Sequence, residues 1–427
     1  MPSSFRNLLS LASILLIGQL FLVSCSAQPS DGQDSRARAI RILEEVPLID
    51  GHNDVPYQYR VRAGYKFSEI DFRNTSLLNP PMHTDIPRLR EGRVGGQFWS
   101  VYVTPDQPES EAIQQTMEQI DFVYRMVERY PDEFELALTA DDVDRIFARG
   151  KIASIIGMEG GHSIGNSLAV LRRFYDLGAR YMTITHSRTL DWADSATDDP
   201  VNDGLSPFGN EVIREMNRLG MLVDLSHVSS QTMIDAIAVS EAPVIFSHSS
   251  ARSVTDHPRN VPDDVLELVK DNGGMVMVTF VPGFISSELR QYYADRNARR
   301  ARLEVLHGGQ PDSVDSGMRE WDQNNPEPEA TLEQVVDHID HLYEVMGADH
   351  IGIGGDYDGI ASVPAGLEDV TTYPNLFAEL LRRGYDEEDL KKIAGLNALR
   401  VMREAEDIAE RLQGERDPSE VLIGDVD

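Results

Sequence analysis

Cysteine is almost missing from this chain: Cys25 is the only one in 427 residues. A lone thiol excludes any disulfide within the chain and removes the soft ligands that mark cysteine-bound metal sites. Basic charge is scarce as well. Lys and Arg number 39 against 71 Asp and Glu, a formal net charge of −32, and a surface of that sign repels phosphate backbones, which argues against nucleic acid as a partner. No internal repeat and no second core can be read from the pattern. What is present is a 41% hydrophobic fraction over a length that suits one large α/β barrel or two ordinary domains.

The N-terminus differs from the rest. Arg6 precedes an apolar stretch at 8–23 broken only by Ser, Gly and Gln, the length of a secretory signal's apolar region and short for a membrane span. Leu22-Val23-Ser24-Cys25 resembles the cleavage box of bacterial lipoproteins, in which the cysteine becomes the lipid-modified N-terminus. That resemblance implies a signal peptide at 1–24, a lipid membrane as partner through acylated Cys25, and stable anchoring if the cysteine carries several acyl chains. The Ser-, Gln-, Asp- and Gly-rich stretch that follows reads as a tether at 25–37. Ser26 after the cysteine resembles the signal for the outer membrane, so the expected location is exported, anchored in a bacterial envelope and facing the periplasm. Residues 38–415 are then a single catalytic domain and 416–427 an acidic tail.

Eight short apolar runs of β character fall at 47–52, 97–103, 152–159, 180–186, 221–227, 243–248, 274–281 and 351–356, with helical patterns between most of them. Alternation of strand and helix implies a parallel sheet with right-handed crossovers. Eight such units predict a (β/α)8 TIM-type barrel. Val212, Ile213, Met216 and Leu219 have helical spacing and stop at Gly220. Thr331-Leu332-Glu333-Gln334 resembles a capping box ahead of an apolar stripe ending before Gly347. The stretch 308–330, rich in Pro, Asp, Asn and Gly, reads as a long surface loop.

Polar residues cluster at the C-terminal ends of these runs. His52 and Asp54 follow the first, Glu159 ends the third, and His186, His227, His248 and Asp356 end the fourth, fifth, sixth and eighth. In a barrel these ends converge on one mouth. Buried imidazoles and carboxylates are costly unless cations or hydrogen bonds compensate them, and bound metal is the simplest compensation. Nitrogen and oxygen ligands suit zinc, with manganese, cobalt or iron as weaker fits. Three His and two carboxylates exceed what one tetrahedral ion needs. Two ions per subunit sharing Glu159 as a bridge would use them all. His162 is expected to hydrogen-bond within the mouth, while His338 and His341 are assigned a solvated or core-edge position. Trp99 and Tyr102 read as core or pocket wall, and Asp356 is preferred to Asp358 as the acid at the last strand end.

At this point the chain resembles the membrane (renal) dipeptidase family, zinc peptidases of the amidohydrolase-like barrel class. The segments that carry the likeness are Leu48-Ile49-Asp50-Gly51-His52-Asn53-Asp54, Gly157-Met158-Glu159-Gly160-Gly161-His162, Thr183-Ile184-Thr185-His186-Ser187, Asp224-Leu225-Ser226-His227-Val228-Ser229, Ser247-His248-Ser249-Ser250, His257-Pro258-Arg259-Asn260 and Gly354-Gly355-Asp356-Tyr357-Asp358. The resemblance implies one zinc held by His52, Asp54 and Glu159 and a second by Glu159, His227 and His248, with a bridging hydroxide attacking the peptide carbonyl. It implies that His186 stabilises the tetrahedral intermediate, that Asp356 handles the proton passed to the leaving amine, and that Arg259 grips the substrate's C-terminal carboxylate. The implied substrates are L-L and L-D dipeptides, with β-lactam opening as a side activity and a homodimer as the assembly. Two alternatives stay open. One is another binuclear-metal amidohydrolase acting on cyclic amides, lactones or phosphoesters, against which no lysine ends the fourth run to serve as a carbamylated bridge. The other is a non-catalytic lipoprotein that binds metal or peptide, which would not need both His186 and Asp356.

Overall fold

A computed structural model describes residues 31–426; the expected signal segment and Cys25 lie outside the described residues. Nine parallel strands form the sheet: β1 (Leu48–Asn53), β2 (Val94–Ser100), β3 (Phe134–Leu136), β4 (Ile152–Glu159), β5 (Ala179–Thr183), β6 (Leu222–Asp224), β7 (Ile245–Ser249), β8 (Met275–Val278) and β9 (Ile351–Ile353). β1 pairs with both β2 and β9, and β2 pairs with β4, so eight strands close into a ring. All eight expected runs are there. The ninth strand, β3, was not expected; it lies along the first half of β4, at Ile152 to Ser154, while β5 takes over from Ile156. Closure leaves no exposed barrel edge and sends every strand's C-terminal end to the same mouth.

Two layers of packing hold the barrel. Ile49, Phe98, Ala153, Tyr181, Ile245 and Met277 come from different strands and pack into one cluster that continues into Leu399 and Met402 of the helix Asn397–Glu415. A larger cluster lies between strands and surrounding helices. Those helices end where the sequence says they should. Ser206 accepts a hydrogen bond from the Gly209 N–H at the start of Pro207–Leu219, and Gly220 closes that helix with φ 83°, a left-handed conformation that suits glycine. The capping box of Leu332–Met346 is formed by Thr331 and Gln334.

Three expectations change. Residues 308–330 are not a loop, since Pro311–Asn324 is a helix that pairs with the helix Ser287–Leu306. Proline is tolerated in a first turn, and the apolar signal is only Val314 and Met318, which bury against Leu303 as a small core of their own. The expected tether overlaps the helix Asp31–Glu45, whose Ala39, Ile42 and Leu43 are buried. Beyond 415 the tail is held by Arg172, which donates to the Ser419 carbonyl, and by Glu215, which accepts from the Ser419 N–H. No helix among the described residues is long and apolar enough to cross a membrane.

His338 is neither solvated nor at the core edge; it is fully buried. Its Nδ1 accepts from the Ala251 N–H at 3.1 Å, which leaves Nε2–H to donate to the Ile285 carbonyl at 3.2 Å. Burial pushes its pKa down to about 4. The unfolded chain takes up that proton near pH 6.5, so this histidine's contribution is complete above pH 6.5 and is lost as pH falls toward 4, about 3 kcal/mol in all. Unfolding at pH 5 should therefore take up about one proton fewer in His338→Gln than in the parent. An unchanged slope of stability against pH would refute this. His341, one turn on, pairs with Asp263 at 2.9 Å.

Candidate metal centre and active site

The mouth gathers the predicted residues by two different means. His52, Glu159 and His248 belong to strands β1, β4 and β7. His186, His227 and Asp356 each lie three residues past the last residue of β5, β6 and β9, so they ride on the loops rather than end the strands. His227 and Asp356 have positive φ, 72° and 60°, conformations that cost roughly 1–2 kcal/mol for residues with a Cβ. The surrounding bonds hold them there. The Asp356 N–H donates to the His52 carbonyl at 3.2 Å and the Asp54 N–H to the Tyr357 carbonyl at 3.0 Å, which locks the end of β1 against the loop after β9.

Glu159 is the centre of the arrangement. Its Oε2 lies 3.4 Å from His52 Nε2, which in turn is 3.3 Å from Asp54 Oδ2. Its Oε1 faces the other side, 3.1 Å from His227 Nε2 and 3.5 Å from the Nε2 atoms of His248 and His186. His227 Nε2 and His248 Nε2 are 2.9 Å apart. One carboxylate thus divides two sets of donors, one per oxygen. Three overlapping triplets have ligand atoms all within 4.8 Å of one another: His52, Glu159 and His248; Glu159, His186 and His227; His52, Asp54 and Asp356.

Hydrogen bonds fix which ring nitrogens face the centre. The Tyr181 hydroxyl donates to the Gly51 carbonyl and is 3.0 Å from His52 Nδ1, so it accepts from Nδ1–H and leaves the His52 Nε2 lone pair inward. Ser247 donates its proton to Asp224 Oδ2 at 2.6 Å and therefore accepts from His248 Nδ1–H at 2.8 Å, with the same result. His52 Nε2 and Asp54 Oδ1 are buried without a hydrogen-bond partner. Such orphans are rare unless a group not made of protein satisfies them. Ligand atoms about 2.1 Å from a tetrahedral ion lie about 3.4 Å from one another, close to the separations around each Glu159 oxygen. The donor set fits divalent metal.

Electrostatics point the same way. Burial depresses His227 and His248 well below the usual imidazole range, with Arg259 adding repulsion in both. Glu159 is held well below the carboxylate range by His52, His186 and His227 despite its burial. Asp356 moves well above it, because burial and the Asp54 and Glu159 charges all disfavour its ionised form.

Arg259 stands apart. It is 3% exposed, and its guanidinium reaches only neutral acceptors, Ser249 Oγ and the His248 carbonyl, both at 3.3 Å. It makes no ion pair among the described residues, and burial draws its pKa down to about 10. Its carbon lies 5.3 Å from the Phe284 ring. A cavity of about 390 Å³ is lined by Asp54, Glu159, His186 and His227 together with Arg259, and by Tyr57, Tyr102, Val281, Phe284 and Ile360. An unpaired buried cation in the lining of such a cavity calls for an anionic ligand group.

Residues 36–416 match Membrane dipeptidase (Peptidase family M19). The chain belongs to peptidase family M19. It is 41% identical over 391 residues to Dipeptidase verJ of Clonostachys rogersoniana, covering 89% of each chain, and 40% identical over 412 residues to Dipeptidase tcpJ of Claviceps purpurea, covering 90% and 87%. The fold of this M19 chain is similar to that of the probable dipeptidase PvdM from Pseudomonas aeruginosa, with TM-score 0.76, 26% identity and coverage of 88% and 99%. It is also similar to a Rhodobacter sphaeroides metallo peptidase liganded with a phosphinate mimic of the dipeptide L-Ala-D-Ala, at TM-score 0.68, 26% identity and coverage of 84% and 99%.

Several site residues of the M19 chain were not singled out from sequence. Ser100 donates to Glu159 Oε2 at 3.1 Å. Tyr181, Ser247 and Asp224 orient two histidines, and Tyr57, Phe284 and Ile360 shape the cavity. Ser247 and Asp224 sit beside the histidine motifs, which is the one signal that could have flagged them. Tyr102 lies 4.6 Å from the His186 ring as cavity wall, while Trp99 is buried core, donating to Ser154 Oγ. His162 Nε2 is 2.9 Å from the Val103 carbonyl, and the neighbouring His186 is one reason its pKa, lowered mainly by burial, falls to about 4. Asp358 turns away from the centre and accepts from the His83 N–H at 2.8 Å, which leaves Asp356 as the acid facing it.

Proposed function

We propose that this M19 dipeptidase hydrolyses the peptide bond of dipeptides that carry a free C-terminal carboxylate, L-L and L-D alike, with two zinc ions held around Glu159. The observation that carries the reading is the division of donors between the two oxygens of Glu159, with His52 and Asp54 on one and His227 and His248 on the other. Two divalent ions in those places would acidify a water and polarise the scissile carbonyl. Ser100 donates to the Glu159 carboxylate and orients it, and His52, His186 and His227 hold it ionised. Arg259 pairs bidentately with the terminal carboxylate, and one residue's length then separates that anchor from the metal ligands, which restricts cleavage to very short peptides.

His186 supplies an Nε2–H toward the oxygen that becomes negative as the carbonyl turns tetrahedral. Its Nδ1 lies 3.1 Å from Ser187 Oγ, and its ring is fixed between those of Tyr102 and His227, at 4.6 and 4.2 Å. Asp356 takes the proton of the attacking water on its carboxylate and returns it to the leaving nitrogen, so the C–N bond breaks to a neutral amine. A carboxyl whose proton affinity is raised by its surroundings suits that exchange near neutral pH. Exhaustive chelation of the purified protein should abolish Ala-Ala hydrolysis, and zinc, titrated back, should restore it with a stoichiometry of two per chain. Activity that survives in chelator, or full recovery at one ion, would overturn the two-zinc reading.

The sequence around Cys25 supports a second proposal, that the enzyme is exported and anchored in a bacterial envelope by an acylated Cys25, on the outer membrane and facing the periplasm. A Cys25→Ala variant should leave the membrane fraction. Its retention there would sink the anchor.

A further inference from the structure

A second cavity, of about 360 Å³, adjoins the first and shares Val281, Phe284 and Ile360 with it. Its remaining walls come from the loop after β7, through His257 and Pro258, from Pro282 and Gly283, and from Arg290, Tyr293 and Ser362. We propose that this cavity receives the side chain of the substrate's C-terminal residue and that the enzyme favours dipeptides ending in a large aromatic or aliphatic residue. The inference rests on the dipeptidase reading and deepens it.

The geometry follows from Arg259. A carboxylate held by its guanidinium brings the adjoining Cα close to Phe284, whose ring is 5.3 Å from the guanidinium carbon. Phe284 is not free to fill space at random. Its ring stacks on His257 at 4.3 Å and 29°, and His257 Nδ1 accepts from the Arg259 N–H at 3.1 Å. Arg259, Phe284 and His257 therefore form one braced row with the first cavity on one side and the second on the other. A side chain that branches from the Cα away from the metal ligands passes over this row into the second cavity.

The chemistry of the walls sets the ligand class. No carboxylate lines the cavity. Arg290 is directed to Asp256 at 3.5 Å, and the Tyr293 hydroxyl donates to Glu327 at 2.7 Å, so both turn their polar ends to other protein groups. His257 is held neutral, its pKa lowered to about 4 by burial and by three neighbouring arginines. What remains toward the interior is mainly prolyl, valyl and isoleucyl carbon with two aromatic rings, a lining that gains by burying apolar surface.

The test compares kcat/KM for Ala-Trp, Ala-Leu, Trp-Ala and Ala-Ala with the full-length metal-loaded protein. The parent should favour Ala-Trp over Ala-Ala by about tenfold or more. Gly283→Phe should fill the cavity, since a Cβ on Gly283 would sit 3.6 Å from the Tyr293 ring in ordinary contact. The Ala-Trp to Ala-Ala ratio should then fall to about one, chiefly through KM, while the Trp-Ala to Ala-Ala ratio stays where it was. Ser362→Trp, from another element of the lining, should do the same and guards against a folding defect in the first variant. A ratio for Ala-Trp that is near one in the parent, or unchanged in both variants, overturns the subsite while Ala-Ala turnover still supports the dipeptidase. Absence of turnover on every dipeptide overturns both.

Discussion

Glu159→Gln should lower kcat for Ala-Ala by about 10³-fold or more and strip the purified protein of at least one of the two ions proposed for it. The amide keeps the size of the carboxylate but not its symmetry. One of its two heads becomes an NH2 group with no lone pair, so either the His52 side or the His227 and His248 side loses an anionic donor. The lost charge matters beyond the metal. His52 is kept above the usual imidazole range, against its burial, by Tyr181, Glu159 and Asp54, and removing one partner from a buried cluster of this kind costs about 3–5 kcal/mol in general. Metal-free Glu159→Gln should therefore melt earlier than metal-free parent as well as being inactive when zinc is supplied. Metal analysis, kcat and thermal melts on the same samples would decide the matter. Two tightly held ions together with more than a tenth of parental turnover would show that Glu159 is not the shared ligand.

How much of this was legible beforehand depends on whether a residue acts through its own strand or through a distant contact. His52, Glu159 and His248 stand inside or at the end of apolar runs, and the barrel topology alone brings such positions to one mouth. His186, His227 and Asp356 were legible as neighbours of those runs, but their place three residues into the loops was not, because a short strand and an extended loop read alike. Asp and His adopt left-handed φ more readily than most side chains, but still so seldom that the residue types of His227 and Asp356 alone do not mark it. The Tyr181 contact to His52 spans 129 positions and that of Asp50 to Tyr373 spans 323; periodicity within a segment carries no record of either. β3 escaped notice because three residues, two of them half-buried, are too few to show alternation. The helix Pro311–Asn324 escaped because its polar face dominates its composition, and only packing on Leu303 reveals the stripe.

Arg259→Ala should lower kcat/KM for free-acid dipeptides by about 10²- to 10³-fold, with little change in metal content. The reason lies in what the guanidinium touches. Among the described residues its hydrogen-bond partners are a serine hydroxyl and a peptide carbonyl, so its burial is opposed by two neutral acceptors and by the more distant charges of Asp356, Glu159 and Asp224, with no direct ion pair. A substrate carboxylate supplies a direct partner where Arg259 is already buried, and there a paired charge is worth far more than at a surface. The same argument predicts how the enzyme should discriminate. The parent should strongly prefer Ala-Ala to its C-terminal amide, which leaves the arginine unpaired, and in Arg259→Ala the two substrates should become nearly equal. Arg259→Lys should fall between them, because an ammonium restores charge but not the two-pronged geometry. This comparison also separates the dipeptidase from hydrolases of lactones or phosphoesters, whose substrates have no terminal carboxylate to lose. If the amide is cleaved as well as the acid by the parent, or if Arg259→Ala keeps the preference for the acid, the carboxylate is held elsewhere in the cavity and Arg259 serves only to brace Phe284 and His257.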